Sequence, residues 1–189
     1  GNCYYRAIIY GLIEQLIIKK DYKRIHYLYM KFKNMVYQNS KLNNMHKVII
    51  DLLHDASCGK KWITVDEFDT DFLNPTIDLP IIRACRHLVS KFILKYRQID
   101  VNGITLGDSI LHCYPENKNL NDYCESFIER MGVDAEGPAV NLGILLHIFQ
   151  CKGSIVFLDD VDNTDIQILE CNYNELDIQK LNKINVNVS

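Results

Sequence analysis

The chain has 189 residues, of which 48% are hydrophobic and 24% charged, and a formal net charge of -3; that is enough for one well-packed globular domain. Basic residues are spread among acidic ones, which excludes the basic stripe of a nucleic-acid-binding surface. No apolar run is long enough to cross a bilayer, and the first residues lead into a patterned helix rather than a secretory leader.

In chain order, residues 4–19 place Tyr5, Ile9, Leu12 and Leu16 on one stripe, the period of a helix with a broad buried face. Residues 22–38 repeat the pattern through Ile25, Leu28, Phe32, Met35 and Val36, and Asn39-Ser40 breaks it. Residues 41–56 predict a third helix, closed by Cys58-Gly59. A short helix is expected near Val65–Phe68, and Asn74-Pro75 signals a turn. Residues 78–100 predict a long helix, with Asp78 as its N-cap and Pro80 in its first turn. Residues 104–118 read as a connection, 119–131 and 138–151 as helices. The period then changes. Residues 154–158 and 166–169 read as short strands, and 172–189 have no firm pattern. Helices first and strands last predict an α+β fold in a single domain over residues 1–189.

Seven cysteines occur, at irregular spacing and without a zinc pattern, so no metal or other cofactor is expected. Reduced thiols fit a cytoplasmic or nuclear protein, with most of them buried as small hydrophobes. Cys3 differs in position. It sits at the start of the first helix, where free N–H groups and the positive end of the dipole stabilise a thiolate. Gly1 and Asn2 precede it, and N–H groups along such a loop form an oxyanion hole for acyl transfer. A lone cysteine ahead of an apolar helix serves packing as readily as catalysis, and a nucleophile also needs a base.

The run GNCYYRA resembles the nucleophile motif of ovarian-tumour (OTU) type deubiquitinases, and within that group the chain is similar to otubains. DLPIIRACRHLVSKFILKYR resembles the long otubain helix. LNDYCESFIERMGVDAEGPAVNLGILLHIFQCKGSIVFLDD resembles the stretch that runs through an acidic turn into an apolar helix and a strand. The resemblance covers Gly1 to about Glu170. It implies a papain-like cysteine protease fold of the OTU type, mainly helical with a small C-terminal sheet, that hydrolyses isopeptide bonds at the ubiquitin C-terminus. It implies Cys3 as nucleophile, Gly1 and Asn2 in the oxyanion loop with the Cys3 N–H as donor, and Glu136 on the face that receives ubiquitin. Ubiquitin or polyubiquitin is the implied partner, with a ubiquitin-conjugating enzyme (E2) as a second.

The chain departs from the family pattern in two places. No histidine follows His147, whereas the family's base lies on a late strand; the expected reason is a chain cut short at both ends, without the last strands. His26, His46, His54, His87, His112 and His147 each read as packing or surface residues. The acidic turn reads Glu136-Gly137-Pro138-Ala139, without the family's Asp and His. Arg6 matches the family motif, yet an acidic neighbour would account for it, and it stands outside the catalytic set. Two alternatives remain open: a catalytically inactive ubiquitin- or E2-binding module with the same fold, and a helical scaffold whose likeness is accidental.

Overall fold

The computed structural model describes residues 2–101, 103–132, 139–157 and 167–171. They divide into two compact units, one within residues 1–87 and 131–133 and the other within 88–130 and 134–189.

The first unit contains helices α1 (Asn2–Ile18), α2 (Tyr22–Phe32), α3 (Ser40–Ser57), α4 (Val65–Phe72) and the first part of α5 (Pro75–Lys95). Asp21, Asn39 and Thr64 cap α2, α3 and α4 by accepting from first-turn N–H groups. Thus the Asn39-Ser40 break in the pattern is a helix start. Helix α2 ends at Phe32, earlier than the periodicity predicts. The chain turns at Lys33-Asn34 and leaves the helix, and the Asn43 side chain then accepts from Tyr37 N–H at 2.8 Å and donates to Tyr37 O at 2.7 Å. The core contains Ile9, Ile13, Ile25, Leu28, Phe32, Ile49 and Leu53, all almost fully buried. Trp62, also buried, donates to Asp71 at 2.9 Å and packs edge-on against Phe68.

Helix α5 starts three residues before its predicted start. Pro75 takes its first position, where a missing N–H costs nothing. Asn74 accepts from Thr76 N–H at 3.0 Å. Asp78 is therefore not an N-cap and is free for another partner, and Pro80 lies inside the helix rather than at its mouth.

The second unit contains the remainder of α5. It adds a hairpin of β1 (Asp100–Val101) and β2 (Ile104–Thr105), then α6 (Leu106–Cys113) and α7 (Leu120–Tyr123). A π-helical turn follows over Cys124–Ile128, and then come α8 (Ala139–Phe149), β3 (Gly153–Phe157) and β4 (Gln167–Cys171). The long helix stops at Lys95, and carbonyls just past its end serve α6. Arg97 O accepts from Gly107 N–H at 2.9 Å and Ile99 O from Leu106 N–H at 2.7 Å, anchoring the start of α6. Helix α6 falls inside what the sequence presents as a connection; Thr105 caps it through Asp108 N–H at 3.0 Å. The two runs read as strands are β3 and β4, which pair antiparallel with Ile155 opposite Leu169. The mainly helical α+β reading with a small C-terminal sheet stands.

Candidate active site

Cys3 occupies the first turn of α1 and is exposed. The α1 periodicity explains both facts. Tyr5, Ile9, Ile13 and Leu16 turn one face into the core, and Cys3 lies off that stripe. The other cysteines divide differently from expectation. Among the described residues Cys85 and Cys124 are buried, Cys58 and Cys113 exposed and Cys151 half-buried, so burial is not the general state of these thiols. Desolvation pushes the Cys85 thiol up and raises that of Cys124 to about 11, which keeps both protonated and unreactive.

Asn2 immediately precedes Cys3. Its Oδ1 accepts from Arg86 Nη2 of α5 at 3.1 Å and from Gly132 N–H at 3.1 Å. Arg86 is 1% exposed and its guanidinium lies 4.6 Å from the centre of the Tyr5 ring. Gly132 has a φ of +74°, a left-handed conformation that suits glycine and ends the turn after the π-helical segment. Arg6, one turn beyond Asn2, makes a two-pronged ion pair with Asp78. Its Nε reaches Oδ1 at 2.9 Å and its Nη2 reaches Oδ2 at 2.6 Å. This carboxylate favours the charged guanidinium and raises the Arg6 pKa further.

A cavity of about 550 Å³ opens beside the thiol, lined by Cys3, Arg6, Ala7, Tyr10, Asp69, Phe72 and Leu73. Its floor is aromatic, with Tyr10 stacked on Phe68 and edge-on to Phe72. The Tyr10 hydroxyl donates to Asp69 Oδ1 at 2.7 Å, a bond that raises its pKa to about 12 and keeps it protonated. Leu73 stands almost fully exposed at the rim.

Of the residues singled out from the sequence, Cys3 and Asn2 are adjacent at the head of α1; Gly1 and Glu136 lie outside the described residues. The histidines of the first unit have partners of their own. His46 is buried and shares a 2.9 Å hydrogen bond with Phe32 O; His87 packs on Tyr37, and His26 and His54 on Tyr29. Sequence reasoning missed Arg86 and Asp78 as neighbours of the motif. One signal was available: Arg86 falls on the buried 82, 86, 89, 93 stripe of α5, where a charge demands a partner.

No curated protein matches the chain. Among solved structures, the chain is similar to the one described as "The structure of h/ceOTUB1-ubiquitin aldehyde-UBCH5B~Ub". The identity is 19% and the TM-score 0.60, over 90% of this chain and 64% of that one. "The structure of h/ceOTUB1-ubiquitin aldehyde-UBC13~Ub" gives the same identity, TM-score and coverage. "The structure of a ceOTUB1 ubiquitin aldehyde UBC13~Ub complex" gives 20% and 0.53 over 82% of this chain and 58% of that one. At such identities the likeness shows the fold, and the chain spans less than two thirds of the length of these proteins. The profile described as "Peptidase C65 Otubain" matches residues 1–187, nearly the whole chain from the Gly-Asn-Cys run onward, and the chain belongs to the otubain family.

Proposed function

We propose that the chain is the nucleophile-bearing part of a cysteine-dependent deubiquitinase that cleaves isopeptide bonds at the ubiquitin C-terminus. The observation that carries this reading is the state of Cys3. It is exposed at the head of a helix, it opens on a cavity of about 550 Å³, and it follows an asparagine held by two donors. The family match supports the chemistry, and the solved otubain complexes named above contain ubiquitin aldehyde and an E2 carrying ubiquitin.

In the proposed reaction the Cys3 thiolate attacks the carbonyl carbon of the terminal glycine of ubiquitin. A sulfur–carbon bond forms and the carbonyl becomes an oxyanion, stabilised by the Cys3 N–H in the turn after Asn2. The carbon–nitrogen bond breaks, and the lysine amine leaves with a proton. Water then hydrolyses the thioester and returns the thiol.

The test is adduct formation with ubiquitin that carries a C-terminal electrophile. The expected result is one added ubiquitin per chain, abolished by Cys3→Ala. Labelling that survives the substitution would show that another group is the nucleophile.

The E2-containing complexes favour a second reading, a ubiquitin- and E2-binding module without hydrolysis. It requires a chain that binds an E2~ubiquitin conjugate and gives no adduct with the electrophile. An adduct lost on Cys3→Ala would exclude it.

A further inference from the structure

We infer that Arg86 is a positioning residue for Cys3, acting through the side-chain amide of Asn2; the inference rests on the reading of Cys3 as the nucleophile. A buried guanidinium is costly to desolvate and needs its charge answered by nearby groups. In the first unit Arg86 faces the ring of Tyr5 and the Oδ1 of Asn2, both in the first turn of α1. The second donor to that oxygen is the N–H of Gly132. Two donors can share only the carbonyl oxygen of an amide, so they fix which way the Asn2 amide points. Arg86 and Gly132 thus hold Asn2 from two separate parts of the chain.

The consequence for Cys3 is covalent. The Asn2 carbonyl and the Cys3 N–H belong to one planar peptide unit and turn together. Fixing Asn2 fixes the direction of the N–H proposed as oxyanion donor. Asp78 repeats the device one turn further along α1, gripping Arg6 from the same helix that carries Arg86. The first turn of a helix frays unless its orphan N–H groups and side chains are tied down. Here α5 ties residue 2 through Arg86 and residue 6 through Asp78. A leucine at position 86 would fill the core and leave the head of α1 loose.

The experiment compares the parent chain with Arg86→Lys, Asn2→Ala and the double variant, each first checked for folding by the fluorescence of the buried Trp62. Lysine keeps the charge but loses the planar fork. Reaction of Cys3 with ubiquitin bearing a C-terminal electrophile is followed against probe concentration. The maximal rate should fall about tenfold in each single variant while half-saturation stays within about twofold, because geometry rather than affinity is lost. The double variant should be no slower than the slower single variant, since both changes cut one link. Amide exchange at residues 6–9 should quicken about fivefold or more in both variants, as the first turn of α1 loosens. Unchanged maximal rates, or effects that simply add, would overturn the inference. If Arg86→Lys fails to fold, Asn2→Ala at the helix head carries the test. If the parent chain itself forms no adduct, the deubiquitinase reading fails. The exchange measurement then decides alone: faster exchange keeps Arg86 as the brace of the Cys3 turn, and unchanged exchange removes it.

Discussion

Arg6 shows how a single side chain changes meaning once its neighbour is known. In the sequence it matches the family motif, and an acidic neighbour is its other account, with no partner named. In the structure it is half of a two-pronged pair with a carboxylate that is only 11% exposed. The Arg6 side chain is itself 41% exposed, so solvent screens the attraction and the pair adds little by itself. Breaking it is different, because Asp78 would stay largely desolvated without its donor. Arg6→Ala should lower the stability of the first unit by about 1 kcal/mol. The shift in urea midpoint of Trp62 fluorescence measures this. Asp78→Asn in the Arg6→Ala background should recover part of the loss, since a neutral amide costs less to bury. A midpoint that does not move with Arg6→Ala would mean that water already serves Asp78.

Gly107 carries the corresponding argument for an element. It opens α6 with its N–H on Arg97 O, and a Cβ there would meet Arg97 O at 3.1 Å and Leu120 Cδ1 at 3.0 Å. The leucine tip can move aside, but a carbonyl already engaged in a hydrogen bond cannot. Gly107→Ala should cost about 1–2 kcal/mol of local stability despite the higher helix propensity of alanine. Faster amide exchange across residues 106–113 would register it; equal exchange in the two proteins would show that the start of α6 yields freely. The same close approach explains why α6 reads as a connection in the sequence. It is a short helix made by its Thr105 cap and by bonds to carbonyls of the preceding chain, and no long periodic stripe announces it.

Across the first unit, stability should depend on pH through His46. This ring is buried, bonded to Phe32 O and packed against Tyr37, which His87 also contacts. Burial lowers its pKa below 6.5, opposed by the bond to Phe32 O and reinforced by the His87 charge. The fold therefore holds the neutral ring, and the unfolded chain binds the extra proton. The contribution is complete above about pH 6.5 and is lost as pH falls from there toward the folded value, by at most about 1.4 kcal/mol per pH unit. Urea unfolding followed by Trp62 should show this decline between pH 7 and 5.5. His46→Gln, which keeps a donor for Phe32 O, should flatten it. Equal slopes in the two proteins would assign the dependence to other groups.

The sequence by itself determined most of the helices, the terminal strand pair, the family and the place of Cys3, because each is written in local period or in a contiguous motif. Periodicity puts Tyr5 and Ile9 inside and leaves Cys3 at the head of α1; a short β-type apolar run marks β3 and alternation marks β4. Helix ends were less legible where groups from elsewhere bond the chain just past them, as the Asn43 side chain does at Tyr37 and the backbone at the start of α6 does at Arg97 and Ile99. Only the tertiary structure decided that Asp78 serves Arg6 rather than its own helix, and that Arg86 reaches Asn2 across 84 positions of chain. Contacts of that separation depend on how helices pack, and packing is a sum over many buried side chains that no single stretch of sequence contains.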